Sequence, residues 1–112
     1  MSFKIETTPR FDKDAKKLNK RFPKLKADLT QLVTELKNNP TMGTHLGENI
    51  YKIRLKNSSI PTGKSGGFRV ISYYLFADTL YFVTMYSKTD QENILDDELK
   101  KIIQEEITHS SL

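Results

Sequence analysis

Two apolar and aromatic runs, Phe68 to Phe76 and Leu80 to Tyr86, are separated only by Ala77-Asp78-Thr79. Runs this short and nearly continuous, the first interrupted by Arg69 and Ser72, suit strands buried on both faces, and so brief a turn can join them only as an antiparallel hairpin. A hairpin that is apolar on both sides must be covered on both sides. The remainder of the 112-residue chain must therefore supply helices to either face of a sheet.

Those helices are legible. Phe3 and Ile5 alternate with Lys4 and Glu6, which predicts a short first strand. Thr8-Pro9 then offers an N-cap followed by proline at the first helical position, and Phe11, Ala15 and Leu18 continue at helical spacing to about Asn19. The Phe22-Pro23 step interrupts. Leu25, Leu29, Leu32, Val33 and Leu36 form the stripe of a second helix, which Asn38-Asn39-Pro40 ends. Near the C-terminus, Thr89 and Glu92 form a capping-box pattern ahead of Ile94, Leu95, Leu99, Ile102 and Ile103, predicting a final helix from about residue 89. The expected fold is α+β, in the order β-α-α-β-β-β-α: a small antiparallel-rich sheet, an N-terminal helical hairpin and a C-terminal helix. No linker divides the chain, so we expect one domain over residues 1–106 and a frayed tail over 107–112.

From Ile50 the period becomes two. Tyr51, Ile53 and Leu55 alternate with Lys52, Arg54 and Lys56, giving a strand with one apolar and one cationic face. Folding gives no reason to gather three like charges on one face. Charge is also uneven along the chain: residues 1–89 hold 16 Lys/Arg against 7 Asp/Glu, a net of +9, and residues 90–112 hold 2 against 7, a net of −5. The basic part suits a phosphate backbone, although a solvated lysine-rich surface would show the same imbalance.

Several classes of chemistry lack their residues. Without cysteine there is no disulfide framework, thiol nucleophile or Cys-based zinc site. His45 and His109 are far apart and no Asp cluster accompanies them, so neither a metal nor another cofactor is expected. Pro61-Thr62-Gly63-Lys64-Ser65 resembles part of a phosphate-binding loop, but Ser58 stands where the first glycine belongs and a strand follows where a helix is required. No apolar run approaches the roughly 20 residues of a membrane span, and the start lacks a signal-peptide core, so a cytoplasmic protein is expected.

What remains is cationic and phenolic: Lys52, Arg54, Lys56, Lys64, Arg69, Tyr73, Tyr86 and Lys88. These groups suit cleavage of an RNA phosphodiester by its own 2′-OH, where the protein aligns the phosphate, neutralises its growing charge and helps move two protons. Arginine offers a bidentate clamp, lysine a point charge, and tyrosine a proton or a stacking platform. Core packing of Tyr73 and Tyr86, and simple solvation of Lys64, are the competing explanations.

Gly63-Lys64-x-Gly66-Gly67-Phe68-Arg69-Val70-Ile71-x-Tyr73-Tyr74, followed by Met85-Tyr86-Ser87-Lys88-Thr89-Asp90, resembles the central hairpin of RelE/HigB-type toxins of the RelE/ParE superfamily. Ile50 to Leu55 resembles the family's basic second strand, and the order of elements over residues 1–106 is similar. The resemblance implies a metal-independent endoribonuclease, an mRNA interferase acting on messenger RNA in the ribosomal A site and restrained by a cognate antitoxin. It implies RNA contacts at Lys52 and Arg54, extended here to Lys56, Lys64 and Tyr73, and catalytic roles for Arg69 and, beside it, Lys88 and Tyr86. Two positions depart from it: some members have a second arginine where this chain has Thr89, and a catalytic tyrosine where it has Leu95. A ParE-like gyrase inhibitor and a non-toxic RNA-binding relative are the alternatives.

Overall fold

In the computed structural model, which describes residues 3–61, 67–75, 78–91 and 93–108, the first helix begins where Thr8 and Pro9 predict. Strand β1 (Lys4–Thr7) leads into α1 (Pro9–Arg21), and α2 (Leu25–Asn38) follows. The Thr8 hydroxyl accepts from the Phe11 N–H at 3.0 Å and donates to the Val83 carbonyl at 2.7 Å, so one side chain caps the helix and ties it to a strand 75 residues away.

Four more strands follow: β2 (Thr44–Gly47), β3 (Ile50–Leu55), β4 (Phe68–Leu75) and β5 (Thr79–Ser87). They form one five-stranded sheet in the order β1-β5-β4-β3-β2, antiparallel except for the β1–β5 pair. The hairpin of β4 and β5 lies at its centre, as its two-sided apolarity requires. Strand β2 is an addition to the expected order. It turns into β3 through Glu48 and Asn49, both at positive φ, the geometry of a two-residue primed turn without its usual Asn-Gly signature. Gly43 lets this edge approach, because a Cβ there would lie 2.5 Å from the Lys52 carbonyl oxygen.

The final helix corrects a second expectation. Helix α3 spans Asp96–Ile103 and ends in a π-helical turn over Gln104–Thr108. It does not begin near Thr89, because the N–H groups of Asp90 and Gln91 both return to the Ser87 carbonyl and the Ser87 and Thr89 hydroxyls bond each other, making a turn. Glu92 lies outside the described residues. Leu95, expected in the apolar stripe, precedes the helix and is 75 % exposed. Ile107, where the sequence reading starts the tail, is buried.

Strand alternation divides the core in two. Ile53, Leu55, Phe68, Val70 and Met85 face α1 and α2, meeting Phe11, Leu18, Leu25, Leu32 and Leu36. On the opposite face Ile50, Ile71 and Val83 meet Leu99, Ile102 and Ile107 of the C-terminal helix. The C-terminal helix is also held to α1: Glu106 accepts from the Arg10 N–H at 2.6 Å, and Arg10 reaches Glu98 at 3.4 Å.

Candidate functional site

Helix α3 covers only part of its face of the sheet. Beyond Ile71, the registers place Arg54, Arg69 and Tyr86 side by side on β3, β4 and β5. Cross-strand neighbours of this kind are about 5 Å apart at Cα. Three residues 15 to 17 positions apart in sequence thus form one row because each strand alternates in phase with the next.

Arg54 is exposed, whereas Arg69 is only 4 % exposed. The Arg69 guanidinium donates to the Phe68 carbonyl at 3.1 Å, and among the described residues it has no carboxylate partner. Burial, and then the charge of Arg54, push its pKa below the ordinary arginine value. Tyr86 is buried beside it, and its hydroxyl has no hydrogen-bond partner among the described groups. Burial pushes the Tyr86 pKa above that of a free phenol, while the charge of Arg69 opposes the shift. At neutral pH the row therefore presents two guanidinium cations and a protonated phenol.

Tyr86 opens on a cavity of about 450 Å³. The sheet contributes Lys52 and Tyr86, with Leu46 from the edge strand; the connector before α3 contributes Asn93, Ile94 and Leu95, and α3 itself Asp96 and Asp97. Lys52 Nζ donates to Asn93 Oδ1 at 3.1 Å across the cavity. One wall is cationic and phenolic and the other apolar and acidic, a polarity absent from the sequence reading. No sequence signal marked Asn93, Asp96 or Asp97, because their role depends on where α3 starts.

The remaining expected residues are dispersed. Lys56 is exposed just past β3. Lys88 follows β5, and its N–H donates to the Gly67 carbonyl at 3.0 Å, prolonging the β4–β5 ladder beside the row. Tyr73 sits farther along the sheet, in a separate hollow of about 330 Å³ with Ile50, Lys100 and Ile103. Lys64 lies outside the described residues. The loop leading towards it is anchored: the buried Asp28 carboxylate accepts from both the N–H and the hydroxyl of Ser58.

Such a site can attract an anion, concentrate positive charge in a water-poor setting and donate a proton. Among the described residues no group of three His, Cys, Asp or Glu is placed to hold a metal ion, and no helix is long and apolar enough to cross a membrane.

No curated protein matches the chain. Among solved structures, an arginine-to-alanine double mutant of the Escherichia coli toxin RelE in the free state superposes with a TM-score of 0.61 at 16 % identity, over 94 % of this chain and 97 % of that one. That likeness establishes the fold. The model for the RelE toxin of the RelE/RelB toxin-antitoxin system matches residues 3–110, and the chain therefore belongs to the RelE toxin family.

Proposed function

We propose that this toxin is a metal-independent endoribonuclease that cleaves messenger RNA in the ribosomal A site and is restrained by a cognate antitoxin. The supporting observation is the Arg54–Arg69–Tyr86 row, whose cations are free of carboxylate pairing among the described residues. In the reaction the substrate's 2′-hydroxyl gives its proton to solvent as its oxygen attacks the adjacent phosphorus, the bond from phosphorus to the 5′-oxygen breaks, and a cyclic phosphate and a 5′-hydroxyl result. Arg54 meets the phosphate first. Arg69, buried beside it, stabilises the charge growing on the phosphoryl oxygens, where a low local dielectric makes that charge count most. Tyr86, which keeps its proton, is suited to protonate the leaving 5′-oxygen. Lys52, Lys56 and Lys64 hold the flanking backbone, Lys88 adds charge beside the row, and Tyr73 offers a base a stacking surface outside the cavity.

The test is induced expression followed by mapping of transcript ends, with and without translation of the same message, and in vitro cleavage on programmed ribosomes in the presence of a chelator. Cuts confined to translated messages and insensitive to chelation are expected. Growth arrest with intact transcripts would refute the proposal.

One observation favours a second reading. Leu95, at a position where some family members carry a catalytic tyrosine, forms part of the cavity wall together with Asp96 and Asp97. An apolar and acidic wall suits protein binding better than phosphate chemistry, as in a ParE-like gyrase inhibitor or a non-toxic relative. Inhibition of gyrase supercoiling by the purified protein, without RNA cleavage, would establish the former; absence of growth arrest would establish the latter.

A further inference from the structure

Helix α1 carries more positive charge than packing requires. Lys13, Lys16, Lys17 and Lys20 are all exposed, and none has a carboxylate partner among the described residues. Their spacings of three and four place them beside one another on the helix, where like charges are destabilising. The same helix runs along an open edge. Strand β1 pairs with β5 only as far as Phe82; beyond it Asp14 of α1 takes the place of a neighbouring strand, accepting from the Thr84 hydroxyl and, at 3.4 Å, from the Met85 N–H.

Between α1 and this edge lies a groove of about 590 Å³. Its carboxylates are engaged: Asp14 with Arg10 and Thr84, Asp90 with Arg21 at 2.6 Å. Lys17 and Lys20 are the cations left over in its lining. Tyr86 and Ile94 line both this groove and the cavity on the other face of the sheet, so the two hollows border the same two side chains.

We propose that the groove and the lysine face of α1 hold the phosphates of the same single RNA strand that crosses the Arg54–Arg69–Tyr86 row. This rests on the reading of the Arg54–Arg69–Tyr86 row as an RNA site, whose Tyr86 also lines the groove, and adds a second contact region, read by charge and indifferent to sequence. From Lys13 to Lys20 the face covers about 10 Å of helix axis. Because Tyr86 belongs to both the row and the groove lining, one strand can pass from the row to the lysines.

The test is fluorescence anisotropy of the intact protein with uncleavable 2′-O-methyl RNA, in single strands of about 4 and about 12 nucleotides and a duplex of the longer sequence. For the double variant Lys17→Gln/Lys20→Gln, the longer strand should bind more weakly. Its slope of log K against log salt should fall by about 1.4, two contacts at about 0.7 each. Binding of the shorter strand should not change, whereas Arg54→Ala should weaken both. An unchanged slope for the longer strand, an equal loss on the shorter one, or an equal loss on the duplex would overturn the groove while leaving the row as an RNA site. If the unmodified protein binds no RNA at all, the groove falls, and the row is judged by cleavage on programmed ribosomes.

Discussion

The two faces of the central sheet are made from alternate residues of the same strands, yet they are built for different ends. Towards α1 and α2, Ile53, Val70 and Met85 stand abreast, and Leu55 and Phe68 continue an apolar layer closed by helical leucines. One residue along, on the other face, Arg54, Arg69 and Tyr86 stand abreast with a buried unpaired guanidinium and a buried unbonded phenol. The first face gains apolar burial at little polar cost, while the second carries groups that folding alone would discard. A small domain can hold such a row because its neighbour layer is so fully apolar.

Phe68→Ala is the strongest way to break that contrast. Phe68 is fully buried, with its ring edge-on to Phe22 at 5.4 Å, and its removal should cost about 3–5 kcal/mol in urea unfolding. A loss below about 1 kcal/mol would mean that this face does not carry the fold. Arg69 should behave in the opposite sense. Arg69→Ala should lower kcat by about 2.7–4 kcal/mol of barrier, yet Arg69→Met should unfold at higher denaturant, with a gain of about 1 kcal/mol or more from removing an unpaired buried charge. An active or destabilised Arg69→Met protein would erase the distinction between the faces.

Tyr86→Phe sharpens it. The variant should match or exceed the parent's stability near pH 7, because an unbonded buried hydroxyl is lost, and should lose about 100-fold or more in cleavage rate if the phenol donates the proton. The folded pKa lies above the unfolded value of 10.0, so the folded state holds its proton longer and the parent loses stability as pH rises from there. That increment of loss should be missing in Tyr86→Phe, and equal alkaline slopes would contradict the burial of the phenol. Lys52→Ala and Arg54→Ala should each reduce the salt slope of RNA binding by about 0.7 with little change in unfolding. Leu95→Ala should shift stability by no more than about 0.5 kcal/mol, since Leu95 stands outside both apolar layers; a larger cost would return it to the core.

What could be read from sequence followed from period and local chemistry. Alternation placed Lys52 and Arg54 opposite Ile53 and Leu55, and Thr8-Pro9 marked a helix start that the Thr8 hydrogen bonds realise. Strand β2 escaped notice because Glu48 and Asn49 make its turn without glycine at either central position. The last helix was drawn too long because a capping pattern at Thr89 and the apolar pair Ile94-Leu95 mimic a first turn, whereas Ser87 captures the backbone there. The lack of a carboxylate beside Arg69, whose burial the apolar run around it already implies, and the acidic wall of the cavity had no local signal. Both arise from how β3, β5 and the α3 connector meet, contacts between segments distant in the chain.

Strand β1 has no partner until residues 79–82 exist, and the Thr8 hydroxyl waits for Val83. At about 5–20 residues per second of synthesis, that separation of 75 residues amounts to roughly 4–15 s. The helical hairpin, made of local contacts, can form within that interval. The Arg54–Arg69–Tyr86 row cannot, because its third member is made still later. The row is therefore incomplete for most of the chain's own translation, an interval in which an antitoxin already present can meet the chain as it emerges.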